Sequence, residues 1–153
     1  MSESVLTPQG VVAWASAHGS SCQQNPRFPG QLLLNNIKGT SIPVRIAFLP
    51  DRDLAWLQIE LVEVVPEAKQ AAIREAVTLL NATLFLGSWS FLSSSGKLIF
   101  KVTLPLQGAV YGPQALESVL QRMIGTVQQT ARRLGAVAVQ GAMPSSVVPK
   151  AAG

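Results

Sequence analysis

The sequence predicts an α+β domain: an antiparallel five-stranded sheet with three helices, in the order α-β-β-β-α-β-β-α. Three observations predict it. Two stretches, 42–61 and 88–104, alternate apolar with other residues at period two around turn residues, which marks hairpins. Three other stretches repeat apolar residues at helical spacing close behind a proline. The strands also come in groups instead of alternating one for one with helices, which is the order of an antiparallel sheet with helices gathered mainly on one face.

The first helix starts where Thr7 can cap and Pro8 takes the first helical position, with Val11, Trp14, Ala15 and His18 following at helical spacing. Asn25-Pro26 and Pro29-Gly30 punctuate residues 20–30 as a loop, and the run from Gln31 to Ile37 reads as a strand. Ile42, Val44, Ile46 and Phe48 then share one face of a strand. After the turn from Pro50 to Asp53, Leu57, Ile59 and Leu61 share a face of the next, leaving Arg45, Trp56, Gln58 and Glu60 on the other. Pro66 opens a central helix whose Ile73, Ala76, Val77, Leu80 and Leu84 form one apolar stripe. The second hairpin turns at Ser93 to Gly96, with Leu98, Phe100, Val102 and Leu104 inward and Lys97, Ile99, Lys101 and Thr103 outward. Gly112-Pro113 starts a long last helix striped by Leu116, Val119, Leu120, Met123, Val127, Ala131 and Leu134. Residues 1–140 are thus expected to form a single domain, and the small, proline-punctuated residues 141–153 a flexible tail.

These elements resemble a known family. The central helix carrying Ile73-Arg74-Glu75-Ala76, the hairpin FLGSWSFLSSSGKLIFKVTLPL from Phe85 to Leu106 and the helix QALESVLQRMIGTVQQTARRL from Gln114 to Leu134 look like the YbjN-type sensory-transduction regulators. Those proteins are similar in fold to type III secretion chaperones, whose order is one helix, three strands, a helix, two strands and a helix. The likeness spans residues 7–135 in order of elements and 73–134 in local character. It implies a type III secretion chaperone-like fold and carries over no set of functional residues. The secretion chaperones are typically acidic, whereas this chain is basic.

Composition narrows the function classes. Of 153 residues 48% are apolar, enough for one core, and 13% are charged, with twelve basic against eight acidic residues. The resulting charge of +4 is spread over single Lys and Arg residues, with Arg132-Arg133 the one adjacent basic pair. A dedicated nucleic-acid binder clusters its cations. A lone cysteine, Cys22, allows no internal disulfide, and together with an N-terminus unlike a secretory signal it predicts a cytoplasmic protein. No apolar run is long enough to span a bilayer, so no membrane partner is expected.

Candidate chemistry is thin. His18 and Cys22 stand four apart, the spacing of a nucleophile and its base on a helix, but Gly19 and two serines between them end the helix. One Cys and one His cannot furnish the usual four ligands of a zinc site. Asp51 and Asp53 are what a turn between strands prefers, and Asn81-Ala82-Thr83 matches a glycosylation acceptor on a helix, where it is a chance match. No catalytic residue, cofactor or metal is predicted. What remains is the outward sheet face, where Arg45, Trp56, Gln58, Lys97, Ile99 and Lys101 form a surface more apolar than solvent requires. It reads either as a solvated face or as a partner-binding surface with Trp56 as its anchor. The expected function is a non-catalytic protein-binding module, chaperone-like or regulatory, working as a homodimer. The alternative is weak nucleic-acid binding through Arg45, Lys97, Lys101 and Arg132-Arg133 with Trp56 stacking on a base.

Overall fold

The Thr7 hydroxyl accepts a hydrogen bond from Gly10 N–H at 2.9 Å, and helix α1, Pro8–Ala17, starts where the proline costs no bond. The computed structural model describes residues 3–148. Among them follow strands β1 (Ser21–Gln24), β2 (Gln31–Asn35), β3 (Val44–Leu49) and β4 (Leu54–Val64), then helix α2 (Gln70–Asn81). Strands β5 (Ser88–Leu92) and β6 (Lys97–Pro105) and helix α3 (Pro113–Val139) complete the order. The sheet is antiparallel and six-stranded, in the order β1-β2-β3-β4-β6-β5.

The sixth strand corrects the expected five. β1 forms inside the segment read as a loop, pairing Ser21 with Asn35 through Gln24 with Leu32. Its residues, Ser-Cys-Gln-Gln, carry no apolar alternation because it is an edge strand whose side chains stay mostly exposed. Its backbone earns the pairing, and side-chain period is silent about that. The central helix also starts later than Pro66, since a 3-10 turn over Glu67–Lys69 precedes Gln70.

The chain divides into two compact units. The first holds residues up to Ile59 together with Val102–Arg122. Its core holds Val44, Ile46, Leu57 and Ile59 of the face predicted by alternation, joined by Leu32, Leu34 and Ala55 and by Val11, Trp14 and Ala15 of α1, all buried, while Ile42 and Phe48 of the predicted face are half-buried. Val5 N–H donates to Tyr111 O at 2.8 Å, and Ser4 Oγ accepts from Tyr111 N–H at 3.0 Å.

The second unit holds Glu60–Lys101 and the residues from Met123 onward. Trp89 and Phe100 sit opposite each other in the β5–β6 register, ring edge to ring face at 5.4 Å, and both are buried. The Trp89 indole N–H donates to Thr130 Oγ1 at 2.8 Å, which satisfies the buried polar tip of an otherwise apolar ring. Asn81 closes the end of α2 onto β5, donating to Trp89 O and accepting from Trp89 N–H, each at 2.8 Å. The tail expected to be loose is packed in its described part. Pro144–Val147 form a 3-10 turn against α2, Val147 is fully buried, and Arg133 donates to Val147 O at 3.3 Å. Residues 149–153 of that tail lie outside the described residues.

Candidate functional site

Register turns the outward residues of the first unit into rows. Gln23 pairs with Leu33, Leu33 with Arg45 and Arg45 with Gln58, so four side chains from four strands stand in line across the sheet. The next row on the same face runs Gln31, Ala47, Trp56. Period two puts these rows on the face opposite Leu32, Val44, Ile46, Leu57 and Ile59. The two faces differ sharply in cover. The inner residues are buried, whereas Gln23, Gln31 and Arg45 are exposed and Leu33, Ala47, Trp56 and Gln58 half-buried.

Beside the first row a groove of about 440 Å³ is lined by Gln23, Gln24, Asn25, Gln31, Leu33 and Arg45, among others. Amide side chains each offer a donor and an acceptor, and a guanidinium offers five donors. The face therefore combines hydrogen-bonding amides and a guanidinium with the apolar area of Trp56 and Leu33.

Arg45, Trp56 and Gln58 thus come together as the sequence predicts. Gln23 was missed because β1 was missed, and Gln31 and Leu33, on the strand the sequence does predict, because nothing local aligns them with Arg45 and Ala47. The one available signal was composition, since Gln23, Gln24 and Gln31 flank the Pro-Gly turn in a chain with few charged residues.

The other three predicted residues lie in the second unit, on β6. Lys97 donates to Glu60 Oε1 at 3.0 Å and is half-buried. Lys101 is half-buried opposite Ser88. Ile99, predicted to be outward and available, is only 8% exposed. It faces Ser90, and its same-face neighbours along β6 are Lys97 and Lys101, the arrangement in which methylene stems shield an aliphatic residue while the ammonium groups reach water. Ile99 is therefore a poor contact residue.

The remaining candidates occupy structural positions. The His18 ring stacks on Trp14 with centroids 4.4 Å apart, and its Nδ1 lies 2.8 Å from Trp14 O. Cys22 stands on β1, and partial burial holds its thiol above the ordinary range, which disfavours the thiolate a nucleophile needs. Asp51 lies in the 3-10 turn Pro50–Arg52. Asp53 takes the left-handed conformation that closes it, its carbonyl accepting from Leu106 N–H at 2.8 Å. Among the described residues no group of three or more His, Cys, Asp or Glu is placed to hold a metal ion, and no helix is long and apolar enough to cross a membrane.

No family model matches the chain, and no curated protein matches it. Among solved structures it is similar to YbjN from E. coli, described as a candidate transcription regulator, with a TM-score of 0.65 at 15% identity over 91% of this chain and 97% of that one. The likeness establishes a YbjN-like α+β fold.

Proposed function

We propose that this chain is a non-catalytic protein-binding module of the cytoplasm, with a chaperone-like or regulatory role, working as a homodimer. The observation that carries the reading is the uncovered outer face of the first unit, where the row Gln23, Leu33, Arg45, Gln58 adjoins Trp56. A half-buried Trp beside an exposed Arg on a hydrogen-bonding surface is the composition of an interface centre, and both residue types are enriched among binding hot spots. The fold's similarity to a candidate transcription regulator supports the regulatory part.

The test is capture by cross-linking with the full chain, identification of the captured protein, and titration of that protein in purified form against the wild type and Arg45→Glu. An affinity loss of about tenfold or more, with unchanged melting, supports the reading. Equal binding to both forms removes the face. A parallel titration with single-stranded DNA at two salt concentrations addresses the nucleic-acid alternative: binding that falls steeply with salt would replace the protein-binding reading.

A further inference from the structure

Within the second unit the end of β4, Glu60–Val64, has a strand on one side only among the described residues. Val65 N–H donates to Gly96 O at 2.7 Å, and the Glu60 carboxylate forms an ion pair with Lys97 of β6 at 3.0 Å, so β6 lies along that side. On the other side β3 begins at Val44, which the Arg45–Gln58 register sets opposite Ile59, so the ladder carries no pair beyond that point. Backbone groups of successive strand residues point to opposite edges. Since Val65 faces β6, the N–H and C=O of Val64, Val62 and Glu60 face away from it.

This edge also exposes two valines beside its carboxylates. Val62 is 83% and Val64 60% exposed, in a strand otherwise built of buried alternation. An open edge with exposed β-branched side chains is a template for another strand.

We propose that Glu60–Val64 pairs antiparallel with the same segment of a second copy, about a two-fold axis through Val62, joining two sheets into one. The proposal rests on the dimer reading above and names its surface. Self-pairing about Val62 sets Glu60 against Val64 and Leu61 against Glu63, so every outward backbone group meets another outward group and no two carboxylates stand directly opposed. An axis through Glu63 would set two carboxylates face to face. One through Leu61 would set Val64 against Gln58, which already pairs with Arg45 of β3.

Side chains agree with this register. Leu61 and Glu63 line a groove of about 350 Å³ with Leu134, Ala138, Val139 and Arg132 of α3. Neither Glu63 nor Arg132 enters an ion pair among the described residues. A two-fold axis normal to the sheet keeps both grooves on one face. It sets each Glu63 against the Leu61 of the other copy, at the groove whose lining includes that copy's Arg132, a complementary charge. The isologous contact closes on itself and yields a dimer, not a filament.

Sedimentation of the full chain at micromolar concentration, compared with Val62→Lys, reads the proposal. Two ammonium groups would face each other across the axis, and the dimer dissociation constant should rise by about tenfold or more while circular dichroism, and melting of samples dilute enough to be monomeric, stay unchanged. In a Cys22→Ser background, Val62→Cys should give a covalent dimer with a short bifunctional maleimide. The amides of Glu60, Val62 and Val64 should gain exchange protection as protein concentration rises. A wild-type monomer at all concentrations overturns both the dimer and its surface. A dimer unchanged by Val62→Lys, with no cross-link through Val62→Cys, overturns the edge and leaves the dimer standing. If Val62→Lys fails to fold, the cross-link and amide exchange decide alone.

Discussion

Three valines of the second unit invert what their local sequence implies. Val62 and Val64 belong to a regular strand yet are 83% and 60% exposed, while Val147, in a Pro-Ser-Ser-Val turn of a tail without periodicity, is 0% exposed. The side chains are identical, so intrinsic hydrophobicity cannot be the cause. The difference is the layer above each one. Val147 lies in a turn packed against α2 and held by Arg133, whereas β4 runs on past the last residue that β3 pairs. Burying a valine stabilises by roughly 1.5 kcal/mol or more. The tail realises that gain within one chain, and the strand end leaves it unrealised.

The widest separation between covered and uncovered positions should come from Phe100→Asp set against Val62→Asp. Phe100 is fully buried against Trp89, and an unpaired carboxylate there costs several kcal/mol, enough to unfold the chain. The same substitution at Val62 should move stability by about 0.5 kcal/mol or less, as surface changes do. Chemical denaturation of the two variants measures the contrast, and equal losses would erase the distinction between cover and period.

Deleting the residues from Gly141 onward should cost about 1.5 to 3 kcal/mol, because Val147 leaves its packing and Arg133 loses its acceptor. A melting temperature unchanged by the deletion would return the tail to the loose segment its composition predicts.

Trp89→Phe keeps an apolar ring and removes the donor to Thr130 Oγ1, so it separates apolar cover from polar satisfaction. A loss of about 1 kcal/mol in urea is expected, the net worth of one hydrogen bond. A loss three times larger would mean that the ring's shape matters more than its N–H.

The smallest effect belongs to a surface pair of the first unit, an exposed Lys38 and a half-buried Glu117. The hydrogen bond from Lys38 holds the Glu117 carboxyl below its ordinary value of 4.5, partial desolvation opposing it. A carboxylate depressed on folding contributes stability that is fully present above its unfolded value and is lost as pH falls through the folded one. Lys38→Met should flatten the melting temperature of the chain between neutral pH and that acidic window. A profile parallel to the wild type would assign the acid response to other groups.

Much of the fold was legible because covered faces leave a periodic trace. The cap at Thr7, the stripe of α2, the hairpin turned at Ser93–Gly96 and the inner set Val44, Ile46, Leu57 and Ile59 all follow from spacing. Of the candidate surface, Arg45, Trp56 and Gln58 followed from the same parity. β1 did not, since an edge strand needs only backbone pairing and its polar side chains carry no period. Ile99 was misplaced because parity gives a direction and not a degree of cover.

By itself the sequence determined most local choices: where α1 and α3 start, where the hairpins turn and which side of β3, β4 and β6 is apolar. Those are decided by dihedral preference and side-chain spacing within a few residues. Only the tertiary structure decided that Gln23 stands in line with Arg45, that Val147 is covered and that Val62 is not. These depend on register and on which distant segment arrives above a residue, and such contacts are chosen by burial summed over the whole chain and leave no mark on any single stretch of it.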